Sequence, residues 1–469
     1  MGEYSIVLSK SRTVPGGLRG AVIFLSGCIL AATSPPLTAQ TTDSAKSRTE
    51  PAPWVAALLG AQIDLIGQRL GAFHSPYEGP NSLDPRGDAQ ISQAYGVYVG
   101  ARIGTRFSAY VDAEMVRGAG ISRVVGLGGL TNGDVIRQGS ANLGTGPYLA
   151  RAFVRYVVPL ARATYDTANR APDQMPELVP SRRLEISAGK LAVSDLFDLN
   201  RYANSPRTQF MNWGLFQNTA WDFAADTRGY TNGIEIGYVA RDWALRFGSF
   251  QMPTQANGNV FDADVARARG DNLELTLAPK KDGATLRLLA FINHARMGRY
   301  AAALAAGAAH DTAPSIVADE RVGRVKYGFG MNLEQPLADS GETGAFVRMG
   351  WNEGATESFA FAEVEHHLSS GVQVSGAHWS RKSDRLGVAL LLSGLGSLHH
   401  QYLAAGGSGF LLGDGALSYS VEEILESYYR AQVSRFVEVS PDVQFIRNPG
   451  YNRARGPATV ASVRVNVRY

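Results

Sequence analysis

Apolar and polar residues alternate along most of this chain with a period of two. Tyr95, Val97, Val99, Ala101 and Ile103 interleave with Gly96, Tyr98, Gly100 and Arg102. Past Gly104-Thr105, Phe107, Ala109, Val111 and Ala113 interleave with Ser108, Tyr110, Asp112 and Glu114, and Ala152, Val154, Tyr156 and Val158 flank Phe153 and Arg155. Glu185, Glu235 and Arg246 each sit between large apolar neighbours. The second half repeats the pattern at Leu273–Leu277, Val325–Leu333, Ala345–Asn352, Leu386–Leu392 and Tyr429–Phe445. The chain ends on Val463, Val465, Val467 and Tyr469 against Arg464, Asn466 and Arg468. Successive side chains of a strand point to opposite faces, so each run predicts a strand with one apolar and one polar face.

The runs are about nine to twelve residues long, the length a tilted strand needs to cross a bilayer. About fourteen to sixteen of them tile the chain. A sheet that wide leaves exposed edges unless it closes, and closure with apolar residues outward is the architecture of an outer-membrane barrel. The expected fold class is therefore all-β: a transmembrane, antiparallel, up-and-down β-barrel. Its apolar face would meet outer-membrane lipid and lipopolysaccharide, and the terminal strand ending at Tyr469 would address the chain to the barrel-assembly machinery. Lys280-Lys281-Asp282-Gly283 reads as a tight turn. Long connectors interrupt the pattern at 117–147, 194–233, 251–271, 294–321 and 394–427. Such barrels keep short turns on the periplasmic side and long loops outside. Alternating back from Tyr469, however, puts the 294–321 connector on the periplasmic side. Either one hairpin is miscounted or that Ala-rich stretch, with a short helix over Ala301–Ala309, is a true inner excursion.

The first residues change the picture of compartment. Lys10, Arg12 and Arg19 precede an apolar stretch, Gly20–Ala32, and then Ser34-Pro35-Pro36-Leu37-Thr38-Ala39. This is the charged, apolar, small-residue order of a secretory signal, with cleavage after Ala39, a lead-in over 40–59 and the barrel domain over 60–469. A lipoprotein signal at Leu25-Ser26-Gly27-Cys28 is disfavoured, because the apolar run continues past Cys28. Cleavage removes the one cysteine and takes the formal charge from +3 to +1. Disulfides and thiolate metal sites then drop out, and a near-neutral chain has little to offer nucleic acid.

If the apolar faces meet lipid, the polar faces line a lumen. Asp112 and Glu114 then lie near Arg151 and Arg155 in strand order, with Glu185 and Arg246 further round. Opposed charges across a narrow pore make a transverse field that orients a hydroxyl-rich solute without trapping it. The competing reading for any one of them is a solvated wall charge or an in-plane ion pair. The 194–233 connector is the candidate for a loop folded into the pore. Sugars are held where an aromatic ring meets their C–H face and Asn, Asp or Arg meets their hydroxyls. Asn218, Trp221 and Asp222 fit that chemistry, while Trp213 reads rather as packing. His366-His367 and His399-His400 suit metal poorly, since neighbours on a strand face opposite ways. No carboxylate pair, nucleophile elbow or P-loop stands out, so neither an enzyme nor a cofactor is expected.

Several stretches carry more than periodicity. Among them are His74-Ser75-Pro76-Tyr77-Glu78-Gly79, Thr131-Asn132-Gly133-Asp134-Val135-Ile136-Arg137 and Asn218-Thr219-Ala220-Trp221-Asp222. Others are Gly350-Trp351-Asn352-Glu353-Gly354 and Asn448-Pro449-Gly450-Tyr451-Asn452-Arg453. Together they resemble the OprB-like carbohydrate-selective porins of the bacterial outer membrane, from about Gly60 to Tyr469. The resemblance implies sixteen strands and passive uptake of mono- and small oligosaccharides. An Asp-Trp-Gly-Gly stretch common in that family is missing, and the chain ends on Tyr where many members end on Phe; both leave the preferred solute open. General porins add the expectation of a homotrimer, which nothing in these residues argues. Two other readings stay open: a barrel for acidic or aromatic solutes, which a one-signed lumen would favour, and a secreted soluble all-β sugar-binding protein.

Overall fold

The computed structural model describes residues 56–136, 143–160, 164–280 and 283–469. The expected signal sequence, most of the lead-in, Arg137, and Lys281-Asp282 of the expected turn lie outside the described residues. Sixteen antiparallel strands close into one barrel. In chain order they begin with β1 (Ala56–Leu70), β2 (Asp88–Ile103), β3 (Phe107–Gly118) and β4 (Tyr148–Pro159). A separate hairpin of β5 (Tyr165–Ala168) and β6 (Glu177–Pro180) follows, then β7 (Arg183–Leu191), β8 (Thr231–Val239) and β9 (Trp243–Gln251). The second half adds β10 (Arg269–Leu277), β11 (Thr285–Met297), β12 (Arg321–Ala338), β13 (Thr343–Asn352) and β14 (His366–Ser375). The last four are β15 (Arg385–Gly394), β16 (Glu422–Gln432), β17 (Val437–Arg447) and β18 (Ala458–Arg468). Barrel strands pair with their sequence neighbours, β4 pairs with β7 past the hairpin, and β1 pairs with β18 to close the wall. The first strand starts at Ala56, inside the stretch expected to be lead-in.

The two faces of each strand separate as the alternation requires. Ile63, Leu65, Val99, Val111, Phe445 and Val463 are exposed on the outside, while Asp64, Asp112, Arg348 and Arg464 are buried within. At the seam, Ile63 lies opposite Val467 and Leu65 opposite Val465 on the outer face. On the inner face Asn466 Nδ2 donates to Asp64 Oδ1 at 2.8 Å. Each barrel strand is paired on both sides, which supplies wall amides with partners where water is absent.

One end of the barrel carries the long connectors and the other, where Tyr469 lies, carries short turns such as 104–106, 240–242 and 433–436. Gly104 turns the first of these at φ +68°, a value that costs glycine nothing. The 298–320 connector, with α2 (Tyr300–His310), sits at the long-connector end. Of the two alternatives the miscount holds, and its physical reason is β14. That strand shows Leu368, Ser370, Val372 and Val374 outward around Ser369 and Gly371, so its weak apolar face hid it and shifted the parity by one. Among the described residues, the long connector at the Tyr469 end is 160–182, which carries β5 and β6.

His366 and His367 do face opposite ways on β14, the first exposed and the second buried. His399 and His400 sit on a helix, α3 (Ser397–Ala404), rather than on a strand. His399 is buried with Nδ1 2.9 Å from Glu365, and His400 stacks on Tyr419 at 4.6 Å.

The core lies inside the barrel, between the wall and the connectors folded into it. Phe210 packs edge-on to Tyr428 at 4.9 Å and against Phe346 at 5.9 Å. A second cluster gathers Phe197, Trp221, Phe223 and Phe250.

Candidate functional site

The 192–230 connector leaves β7, turns into the lumen and runs along the inner wall before rejoining at β8; α1 (Trp213–Phe216) is its one α-helical turn, after a 3-10 turn at Val193–Asp195. Inward-facing wall residues hold it, mostly by its backbone. Arg348 donates to the carbonyls of Asp198 and Ala203 at 3.0 Å and of Leu215 at 3.2 Å, and its Nε lies 2.9 Å from the Asp198 carboxylate. Glu274 accepts from the Asp198 amide at 2.7 Å, Glu334 from the Arg201 amide at 2.7 Å, and Glu426 from the amides of Met211 and Asn212. Arg464 donates to the carbonyls of Pro206 and Gln209. A loop buried in a lumen must find partners for its amides and carbonyls, and here the strands supply them. The 119–147 connector joins it through backbone bonds of 2.9 Å from Trp213 to Leu130 and from Gly133 to Met211.

Between these connectors and the β3–β4 wall a cavity of about 830 Å³ remains. Its waist is charged with both signs. Glu114 on β3 accepts from Tyr230 at 2.6 Å, from Tyr148 at 3.1 Å and from Arg207 at 3.2 Å. Arg207 also donates to Asp134 at 2.7 Å. Arg151 makes a two-pronged contact with Asp195 at 2.6 and 3.0 Å, reaches Asp112 at 3.0 Å, and lies 5.2 Å from the Tyr230 ring centre. Burial pushes the Asp134 carboxyl above its usual range. Burial also works against the Arg207 charge, but Asp134 and Glu114 outweigh it and hold the guanidinium well above its ordinary value. Trp213 lines the same cavity, 5.1 Å from Phe216 and 4.8 Å from Phe361. Arg228 lies over Tyr148 at 4.5 Å.

A bulge sets this geometry. Tyr148 and Arg151 are three residues apart and would face opposite sides of a regular strand. The register slips between Asp112 and Ala113, so that Asp112 opposes Arg151 but Ala113 opposes Leu149 and Glu114 opposes Tyr148. Ala150 is the extra residue, and it brings both Tyr148 and Arg151 to the lumen.

The residues singled out from sequence fall into three groups. Glu114 and Arg151 line the cavity, with Asp112 behind Arg151. Arg155, Glu185 and Arg246 face inward in the periplasmic half of the wall, where they form ion pairs. Arg155 lies 3.5 Å from Glu185 and Arg246 lies 3.7 Å from Glu235. Asn218, Trp221 and Asp222 are corrected: all are buried between the connector and the wall, away from the cavity. Asn218 occupies a hollow left by Gly330 and Gly350, where any Cβ would overlap its amide. Trp221 donates to Asn272 at 2.8 Å. Asp222 accepts from the amides of Phe359 and Ala360 and lies 3.5 Å from Lys326. Trp213, read as packing, is the tryptophan on the cavity. Tyr148, Asp195, Arg207 and Tyr230 were not singled out; the bulge and the loop path that bring them together leave no periodic mark in the sequence.

A family model for the carbohydrate-selective porins of the OprB family matches residues 101–469. A search of curated proteins finds no match. Among solved structures, OprB of Pseudomonas putida superposes with a TM-score of 0.65 at 14% identity, over 88% of this chain and 94% of that one, a likeness of fold. DcaP, an outer-membrane channel of Acinetobacter baumannii, gives 0.47 at 6% identity over 88% of this chain and 96% of that one. The family match spans most of the chain and the barrel agrees with it, so the protein belongs to the OprB family of carbohydrate-selective porins and is a channel of the bacterial outer membrane.

Proposed function

We propose that the channel passes small neutral saccharides, single sugars and short oligosaccharides, driven only by their concentration gradient. The observation that carries this reading is the waist itself: Glu114, Asp134 and Asp195 face Arg151 and Arg207 within one cavity, beside the rings of Trp213, Tyr148 and Tyr230. Such a lumen is not one-signed: it sets carboxylates against arginines and so orients a dipolar solute across the pore. Its donors and acceptors already satisfy one another. A sugar hydroxyl therefore exchanges one bond for another at a net gain of about 1 kcal/mol or less, and several shallow contacts of this kind let a solute enter and leave. The aromatic faces add stacking for C–H surfaces. The same reading has the terminal strand recognised by the barrel-assembly machinery during insertion.

The test is solute flux through the refolded protein in liposomes, comparing glucose, maltodextrins and charged solutes of the same size. Sugar flux is expected to exceed that of the charged solutes and to saturate. Arg151→Ala and Glu114→Gln are each expected to narrow that difference by unbalancing the waist. Correctly inserted protein that passes no sugar would end this reading.

A further inference from the structure

The connector between β4 and β7 differs from the other periplasmic turns. From 164 to 182 it folds back into the barrel instead of simply reversing the chain. Met175 is fully buried in one cluster with Leu58, Tyr98, Tyr110 and Phe153, all inward-facing. The wall makes room for it at Gly100, where a Cβ would lie 3.1 Å from Met175 Cγ. Next to it Arg155 Nη1 donates to Gln174 at 2.7 Å, and the Arg155 guanidinium lies 3.9 Å from Asp173. Arg102 pairs with Glu177 across the mouth. Arg170 donates to the carbonyl of Leu59 on β1 and, at 2.9 Å, to that of Tyr469, so it spans the barrel seam. A buried apolar anchor with polar ties on several sides fixes this segment in place.

Arg170, Ala171, Pro172 and Asp173 line the same cavity as Glu114 and Arg151. We infer that residues 170–173 form a second constriction, in series with the charged waist and entering from the opposite end of the barrel, with Asp173 and Arg170 as selecting residues on the exit path. Asp173 presents an acceptor and Arg170 donors, so this constriction takes the same hydroxyl-rich, uncharged solutes and slows those of either net charge. The solute meets loops on entry and this hairpin on exit. The inference rests on the cavity being the permeation path.

The experiment places single cysteines in a Cys28→Ser background and labels them, in the inserted channel, with a methanethiosulfonate carrying a trimethylammonium group. Asp173→Cys and Arg170→Cys test the hairpin, Ser205→Cys tests the cavity from the loop side, and Thr167→Cys, on exposed β5, reports labelling away from it. Mass spectrometry scores the labelling. Conductance is expected to fall on the order of twofold or more on labelling at 173, 170 and 205, and to stay unchanged at 167. A fall at 205 alone, with 173 and 170 fully labelled, overturns the second constriction and leaves the waist standing. A fall at none of them overturns the permeation path as well. An equal fall at 167 also overturns the inference, because the label would then act without lining the channel.

Discussion

Replacing Arg348 with alanine tests whether the wall positions the loop. Arg348 is fully buried and makes three hydrogen bonds to loop carbonyls besides its ion pair with Asp198. Its removal leaves a buried carboxylate without its cation, a change that costs about 3–5 kcal/mol. Asp198 keeps bonds from Asn332 at 2.7 Å and from the Asn218 amide at 3.0 Å, so the low end of that range applies. The strands themselves keep their ladders, so the loss falls on loop docking and not on the barrel. At about 1.4 kcal/mol per factor of ten, opening of the 192–230 connector rises by roughly two powers of ten. Amide hydrogen exchange of the refolded protein reads this directly: protection at Met211, Asn212 and Leu215 falls, while that of β12 and β13 holds. Arg348→Lys restores the charge but not the planar fork, and recovers only part of the protection. Unchanged exchange at those three amides in Arg348→Ala would refute the reasoning.

Three further outcomes follow from the geometry. Deleting Ala150 removes the bulge and leaves Tyr148 and Arg151 two residues apart, so both stay on the lumen face and the 3.1 Å bond from Tyr148 to Glu114 is kept; ion selectivity, read as reversal potential, is expected to hold while the barrel still inserts. Trp221→Phe loses one buried bond to Asn272, costs about 1 kcal/mol in a denaturant titration and leaves sugar flux unchanged, whereas Trp213→Ala lowers sugar-induced current block. In the 353–365 connector, burial raises the Glu357 carboxyl from 4.5 to about 8. Its folded value lies above the unfolded one, so its contribution is full below about pH 4.5 and is lost as pH rises through about 8. The protection factor of the Gly298 amide, which donates to Glu357 at 2.9 Å and is taken relative to the intrinsic exchange rate at each pH, should therefore fall over that interval, and Glu357→Gln should remove that fall.

The barrel was legible because lipid outside and polar groups inside impose a period of two on any strand that crosses. Arg464, Asn466 and Arg468 could be assigned inward from seven residues. β14 escaped because Ser370 interrupts its outer face. The site was legible only where it sits on regular strands, as at Glu114 and Arg151. A loop side chain has no period, so nothing local tells whether Trp213 or Trp221 meets the channel. That depends on which wall groups grip the backbone between them. Composition marked the connector as sugar-compatible but could not say which of its faces the solute meets.

The grip of the wall on the 192–230 connector is a grip on main-chain atoms. Arg348, Arg464, Glu274, Glu334 and Glu426 bind carbonyls and amides that every residue carries. Much of the scaffold is thus indifferent to which side chains the connector bears on its channel side. Thr208, which meets the wall through its carbonyl, can be exchanged without redirecting the path of the loop. Diversification of solute preference is in that way uncoupled from folding: a lineage can retune the aperture while inheriting the same sockets.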